Sequence, residues 1–110
     1  MQILFAPLQG HTTAVYRRAH HEIIGGIAAY YTPFLRLEHG SPRQRDLQEL
    51  SPAVNDGVPT VPQIIARDIN EFCPLVDALL LQGHRRIDLN LGCPFPLQTT
   101  AGRGSALLAH

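Results

Sequence analysis

Short apolar segments alternate with helix-forming segments along most of the chain, and this alternation constrains the fold more than any other feature. Four segments that are rich in apolar and β-branched residues, each bounded by Gly, Pro or polar residues, predict β-strands. They cover residues 3–6, 27–32, 60–66 and 86–91. Apolar strands that are joined by helical crossovers form a parallel sheet covered by helices. The predicted fold class is therefore α/β.

The first helix is predicted to begin after Thr12 or Thr13, either of which can cap it, and to end at a pair of glycines, Gly25 and Gly26. Helical spacing places its apolar residues on one face, which we expect to be buried: Ala14, Val15, Ala19, Ile23 and Ile24. The outward face is expected to contain Arg17, Arg18, His21 and Glu22.

A second long helix is predicted to begin with a capping box formed by Asp68 and Glu71 and to end at Gly83. Its buried face is expected to contain Phe72, Leu75, Val76, Leu79 and Leu80. Pro74 is unfavourable beyond the first turn, at about 3 kcal/mol. The helix therefore either begins later, near Cys73, or is kinked. Cys73 itself is interpreted as a packing residue.

The segment 35–59 is the least regular part of the chain, with one or two helical turns predicted around residues 45–50. A long connection of this kind is usually functional or mobile. A further helix begins in residues 105–110. An open doubly wound sheet is compatible with this order of elements.

The stretch 87–96 begins as a strand and ends as a loop with a thiol at its start. Its apolar residues alternate with Asp88 and Asn90, so these two polar side chains point to the same face. A glycine then lets the backbone turn, Cys93 follows, and two prolines stiffen the exit. Cys93 could be a small packing residue. Its position at the end of a strand favours chemistry instead, because active sites of parallel barrels lie there.

The charge balance gives no general reason to expect a nucleic-acid partner, since such proteins usually have a basic face. The 110 residues carry nine basic and nine acidic side chains, and every basic one is an arginine. A local arginine patch stays open as an alternative to solvated surface charge. Its candidate members are Arg17, Arg18, Arg43, Arg45, Arg85, Arg86 and Arg103.

Other compositional features bear on compartment and on metals. Two cysteines in unlike contexts do not make a disulfide framework, which favours a reducing cytoplasm. We find neither a leader segment nor an apolar run of membrane-spanning length. The six histidines lack metal-ligand spacing, so no metal site is predicted.

Four motifs carry a resemblance to a known family. The residues 90–94, Asn-Leu-Gly-Cys-Pro, are followed by Gly-Arg-Gly-Ser-Ala-Leu-Leu at 102–108. Two earlier motifs, Ala-Pro-Leu-Gln-Gly at 6–10 and Val-Pro-Gln-Ile at 61–64, agree with that family in their order and spacing. Together these motifs resemble the signature of the tRNA-dihydrouridine synthases, flavin enzymes that reduce uridines in tRNA. The resemblance implies the N-terminal half of a TIM barrel, FMN as the cofactor, NADPH as the reductant and tRNA as the substrate.

The resemblance also implies roles for individual residues. Cys93 would act as the general acid, protonating C5 of the uracil ring while a reduced flavin delivers hydride to C6. Asn90 would contact the flavin or the uracil edge, although a structural amide at a strand end is the alternative. Gln63 would bind the flavin, or else be a core glutamine bonded to backbone. Pro7 and Leu8 would lie against the flavin ring.

Arg103 is expected near the mouth of the substrate site, or simply in solvent. The glycines on either side of it lack the spacing of a phosphate loop. In relatives a Thr-Asp pair commonly follows the glycine that ends the Ala-Pro-Leu-Gln-Gly motif, which is Gly10 in this chain. Here Thr12 and Thr13 stand instead, which removes a carboxylate from that position.

The family's proteins are longer than this chain, so we expect a partial barrel with its second half and a helical tRNA-binding domain outside residues 1–110. Little activity is expected from these residues alone. The open edges of a half-barrel predict self-association. Two other functions stay open: a flavin barrel enzyme acting on a free pyrimidine, like dihydroorotate dehydrogenase, and a non-enzymatic remnant that associates with itself.

Overall fold

The central sheet contains four parallel strands whose order follows the chain. The computed structural model describes residues 1–109. Its elements are β1 (Leu4–Phe5), α1 (Ala14–Ile23), β2 (Ala29–Leu35), β3 (Leu37–Glu38), β4 (Ser41–Pro42), α2 (Gln44–Glu49), β5 (Thr60–Ile64), α3 (Ile69–Leu81), β6 (Asp88–Leu89), α4 (Pro96–Thr99) and a 3-10 helix (Gly104–Ala109). Strands β1, β2, β5 and β6 lie side by side in that order, and every pair is parallel.

This strand order decides between the two architectures that the sequence left open. A doubly wound sheet reverses its strand order at a switch point, whereas the order here runs in one direction from β1 to β6. The sheet is curled into a half-barrel with crossover helices. The predicted α/β fold, a partial TIM barrel, is therefore confirmed. We call the side of the sheet at which these four strands end its carboxyl edge.

The core lies between the middle of the sheet and α3. Strand β5 is hydrogen-bonded on both sides, and residues 61–66 are all buried. Leu35, Ile64, Leu75 and Leu79 are fully buried and belong to one cluster. A central parallel strand is covered on both faces, which explains why this segment is apolar without alternation. The predicted strand at 60–66 is confirmed for residues 60–64.

The two outer strands are shorter and more exposed than predicted. Each of them pairs with one neighbour among the described residues. Leu4 in β1 is 53 % exposed and Leu89 in β6 is 41 % exposed. An apolar run such as residues 3–6 is typical of a buried strand, and this expectation is wrong here because β1 lies at the edge of the sheet. The predicted fourth strand, 86–91, is regular only over Asp88–Leu89.

Helix α1 buries a different face from the one predicted, although Ala14 is buried and Glu22 is exposed as expected. It begins as expected, with the Thr13 side chain as its cap. However, Arg17 is 1 % exposed, whereas Val15 and Ile23 are 78 % and 82 % exposed. The guanidinium of Arg17 donates to two backbone carbonyls and to Asn55 Oδ1. The predicted orientation is wrong because these polar bonds, rather than the apolar stripe, attach the helix.

Strand β2 continues past Pro33, where the sequence predicted its end. Tyr31 pairs with Val61 and Phe34 pairs with Gln63, so three steps along β2 match two along β5. This one-residue bulge contains Pro33, which has no N–H to offer the ladder. Beyond β2 the chain forms the β3–β4 hairpin and then α2. The predicted helical turns around residues 45–50 are confirmed.

Helix α3 is continuous from Ile69 to Leu81 and contains Pro74 in its sixth position. It therefore does not begin near Cys73. Asp68 caps it by accepting from the N–H of Glu71 at 3.1 Å. Proline cannot donate to the carbonyl four residues earlier, which belongs to the exposed Asn70 and can therefore bind water. Cys73 is exposed, so its interpretation as a packing residue is wrong.

We expect Pro74→Ala to stabilise the chain. The substitution restores one helical hydrogen bond and removes a clash, although it also frees the unfolded chain, so a net gain of about 1–2 kcal/mol is expected. Chemical denaturation followed by circular dichroism measures this gain. Pro52→Ala, in an exposed turn, is the control and should give no gain. Equal midpoints for Pro74→Ala and the unsubstituted chain would show that the helix accommodates its proline without cost.

Candidate functional site

An open cavity of about 830 Å³ lies at the carboxyl edge of the sheet. Its walls come from the segment after β1, from the end of β6 and the segment after it, and from one side chain each of β2 and β5. It is lined by Pro7, Leu8, Gln9, Phe34, Gln63 and residues 89–98. Ligand sites of parallel sheets lie at this edge, and the volume is in the range of small-molecule pockets. Thus Pro7, Leu8, Gln63, Asn90 and Cys93, all predicted from the sequence, border one cavity.

Gln63 is a buried amide that bridges two neighbouring side chains. It is 8 % exposed. Its Nε2 donates to Asp88 Oδ2 at 2.8 Å, and its Oε1 accepts from Asn90 Nδ2 at 3.0 Å. Its backbone N–H donates to Thr32 Oγ1 at 3.0 Å. One N–H and one lone pair of the amide have capacity for a further partner, so this side chain can bind both a donor and an acceptor of a ligand.

Asn90 connects the Gln63 side chain to the loop after β6. Its Oδ1 accepts from the backbone N–H groups of Gly92 and Cys93, both at 2.9 Å. An amide that bonds the backbone two and three residues ahead fixes the turn between them. Asp88 and Asn90 contact the same glutamine, as expected for side chains that alternate to one face of a strand.

Cys93 is half-buried, and it borders the cavity rather than the packed core. Its backbone N–H is held by Asn90, as described above. Its carbonyl oxygen accepts from the N–H of Ser105 at 3.0 Å. A thiol at the wall of an open cavity can transfer a proton to a bound molecule, which a thiol sealed among hydrocarbon side chains cannot do.

The loop after β1 forms the opposite wall. Leu8 is 63 % exposed. Its backbone N–H donates to Thr12 Oγ1 at 3.0 Å, which fixes the turn. Gln9 Oε1 accepts from the N–H of Phe34 at 3.0 Å, and this bond joins the loop to the end of β2. We did not predict roles for Gln9 and Phe34, since the contact between them depends on the bulge in β2.

Comparison with known families identifies the chain. A family model described as dihydrouridine synthase (Dus) matches residues 4–110. The chain belongs to the dihydrouridine synthase family. No curated protein and no solved structure matches it. The family assignment from the sequence motifs is therefore confirmed. The family comprises oxidoreductases that form dihydrouridine in tRNA.

Arg103 of this dihydrouridine synthase chain is paired with Glu71. Its Nε donates to Glu71 Oε2 at 2.9 Å and its Nη2 donates to Oε1 at 2.7 Å. Both side chains are mostly buried, with 14 % and 9 % exposure. This bond lowers the pKa of Glu71, against the opposing effect of burial, and raises the pKa of Arg103. A substrate contact for Arg103 stays a prediction, and the pairing is a role that the sequence did not reveal.

The candidate arginines do not form a single patch. Arg17, Arg43 and Arg45 border a second cavity of about 460 Å³, which shares Gln9 and Phe34 with the first. Burial lowers the pKa of Arg17, and nearby Glu49 partly offsets this effect. Arg85 and Arg86 precede β6 and so lie at the other end of the strands, away from the carboxyl edge.

The side chain of Glu49, the last residue of α2, contacts the first residue of α1. Its Oε2 accepts from the N–H of Ala14 at 2.8 Å. A carboxylate at this position complements the positive end of the helix dipole. Glu49 of α2 thus accepts one of the backbone N–H groups that are unpaired within the first turn of α1.

Two kinds of feature are absent from residues 1–109. Within this part of the chain, none of the helices has the length and apolar character needed to cross a bilayer. The same residues contain no cluster of three or more metal-ligating side chains.

We expect Glu71→Gln to remove part of the acid sensitivity of the fold. Because the pKa of Glu71 is lowered by folding, its stabilising contribution is complete above the pKa of a free glutamate, about 4.3, and is lost as the pH falls through the lower folded pKa. Glu71→Gln should lower the free energy of unfolding by about 1–3 kcal/mol at pH 7. It should also flatten the decline below about pH 4.

The measurement is the denaturation midpoint as a function of pH. Glu22→Gln is the matched control, since Glu22 is exposed and pairs with Arg18 on the same helix. It should change stability by less than about 0.5 kcal/mol. If Glu71→Gln keeps the full acid dependence of the unsubstituted chain, the lowered pKa of Glu71 is not the origin of that dependence.

Proposed function

We propose that this chain forms the proton-donating and ring-binding part of an FMN-dependent tRNA-dihydrouridine synthase. The observation that carries the proposal is the shared cavity: Cys93 borders the same open space as Gln63, Asn90 and the Pro7–Leu8 turn. These residues come from three separate segments of a chain that belongs to the dihydrouridine synthase family.

The residues around the cavity fit the ring of a flavin. Its walls are mostly apolar, with proline and leucine side chains from the segments after β1 and β6. Gln63 and Asn90 supply the amide groups that a pyrimidine-like edge requires, since such an edge presents both donors and acceptors. The backbone of Pro7 and Leu8 would lie along the ring. We assign the cofactor phosphate to a part of the protein outside these 110 residues.

In the proposed reaction, Cys93 acts as the general acid. A bound reduced flavin would supply the hydride that adds to C6 of the uracil ring. The S–H bond of Cys93 breaks, its proton adds to C5, and the C5–C6 double bond becomes single. Solvent then returns a proton to the sulfur, and the two electrons that the flavin gave up would be replaced from NADPH. Arg103 would lie at the rim of the substrate site.

The substrate would be a uridine within tRNA. A base inside a stack is not accessible to a pocket, so the uridine would leave its stack to enter the cavity. The rest of the barrel and a helical domain that grips tRNA would lie outside residues 1–110, and these residues alone would have little activity. A thiol that works as an acid has to stay reduced, which fits a cytoplasmic enzyme.

Self-association is the second part of the proposal, and it applies to the isolated chain. Strands β1 and β6 each have one neighbour within residues 1–109. Ile3 and Leu4 at the β1 edge are about half exposed, at 49 % and 53 %. Exposed apolar edge strands favour pairing with another chain.

The proposed reaction predicts that Cys93→Ala, in the full-length protein, keeps its flavin and loses turnover. Removing a general acid typically costs about 10²–10⁴-fold in rate, whereas the apolar walls and amide groups that would bind the ring stay intact. The measurements are the flavin absorption spectrum and the rate of dihydrouridine formation in tRNA. Cys73→Ala is the control, since Cys73 is exposed on α3 and should change neither quantity.

Undiminished turnover in Cys93→Ala would remove Cys93 from the mechanism. Oxidation of free dihydroorotate, without reduction of tRNA, would identify a different flavin enzyme. If no flavin binds even when FMN is added to the full-length protein, the chain is better described as a non-enzymatic remnant.

For self-association, we expect light scattering to give a mass above that of one chain. The double variant Ile3→Lys, Leu4→Lys places two charges on the β1 edge and should shift the mass toward the monomer. Val15→Lys on the exposed face of α1 is the control for added charge away from the edge. A monodisperse monomer before any substitution would contradict the proposal.

A further inference from the structure

The turn after Arg103 packs directly against the backbone of Cys93. Gly104 is buried, with φ +61°, a backbone conformation in which residues other than glycine are strained. A β-carbon on Gly104 would lie 2.6 Å from the carbonyl oxygen of Cys93 and 3.0 Å from its Cβ. Both distances are well below normal van der Waals separation. Glycine is therefore the residue that allows the two segments to touch.

The backbone of Cys93 is held on both sides of its α-carbon. On the amino side its N–H donates to Asn90 Oδ1 at 2.9 Å. On the carboxyl side its carbonyl accepts from the N–H of Ser105 at 3.0 Å. With both peptide units fixed, the direction of the Cα–Cβ bond is set. The sulfur then moves mainly by rotation about that bond.

The carboxyl-side contact is itself anchored to the core. Arg103, next to Gly104, forms its two-bond pair with Glu71 in the first turn of α3. Glu71 Oε2 also accepts from the N–H of Arg67 at 3.0 Å. The same helix buries Leu75 and Leu79 completely. The turn that touches Cys93 is thus connected to the helix that supplies Leu75 and Leu79 to the core cluster.

We propose that Gly104 and the Ser105 amide are positioning groups that determine where the Cys93 thiol lies in the cavity. The inference rests on the proposed role of Cys93 as proton donor. Proton transfer requires a donor within hydrogen-bond reach of its acceptor, and small misplacements of a reacting group are costly in rate. Neither group touches substrate in this proposal, and both act through Cys93.

The test is the alkylation rate of Cys93 by iodoacetamide. All chains carry Cys73→Ser, so that Cys93 is the one thiol present. In Gly104→Ala the added carbon breaks the contact with Ser105, and we expect alkylation to accelerate about three- to tenfold, as loss of one backbone hydrogen bond allows. An unchanged or slower rate would overturn the inference.

Gly102→Ala is the matched control in the same turn. Gly102 also has a positive φ, +82°, so alanine there carries a similar backbone strain. Its β-carbon, however, would meet only the Cβ of Arg67, at an ordinary 3.7 Å. We expect its alkylation rate to equal that of the parent chain. Equal acceleration in the two variants would assign the effect to strain and overturn the role of Gly104.

If Gly104→Ala does not fold, hydrogen exchange of the unsubstituted chain decides. The Ser105 N–H should exchange at least about tenfold more slowly than in an unstructured peptide, and free exchange would overturn the inference. Neither readout depends on flavin or tRNA. Retained turnover in Cys93→Ala would therefore refute the proposed function and leave the positioning result intact. An unchanged alkylation rate in Gly104→Ala would refute the positioning role and leave the proposed function intact.

Discussion

The hydrogen bonds of the Gln63 amide are the interaction on which the carboxyl edge depends. A carboxylate can only accept, so Asp88 receives the Nε2 of Gln63. Backbone N–H groups can only donate, so those of Gly92 and Cys93 face the oxygen of Asn90. Each end of this series thus fixes the direction of both amides. Because the series runs from β5 to the segment after β6, it also links these two segments at the point where the loop that carries Cys93 begins.

The loop after β6 is therefore held at two positions, near Gln63 and at Gly104, while the part between them is more exposed. Gln63 lies in the most buried strand, and the turn at Gly104 is tied to α3 through Arg103, so the start of the loop is held by the core. The residues between these two supports, including α4, are largely exposed. Binding loops on a rigid scaffold commonly divide in this way. Here Cys93 belongs to the part of the loop that is held by hydrogen bonds, and the apolar residues 94–97 that line the cavity belong to the exposed part.

Local chemistry in the sequence predicted much of this arrangement. The strand–helix alternation specified the sheet, and the Asp88–Asn90 alternation placed two polar side chains on one face. The sequence could not reveal contacts between distant segments. Arg17 can be buried because its guanidinium donates hydrogen bonds to Asn55 and to two backbone carbonyls. A pattern of apolar residues assigns arginine to the exposed face and so could not predict this. Arg103 and Glu71 are 32 residues apart in the sequence, and a hydrophobicity pattern does not predict an ion pair between such distant residues.

The bulge at Pro33 puts the two parts of β2 out of phase with each other. A pleated strand alternates its sides with period two, so one extra residue inverts the alternation relative to β5. Tyr30, before the bulge, is completely buried, whereas Phe34, after it, borders the cavity. One strand can therefore supply an interior ring at one end and a ring at the binding surface at the other. Deleting a single residue here would exchange the inside and the outside of everything that follows in the strand.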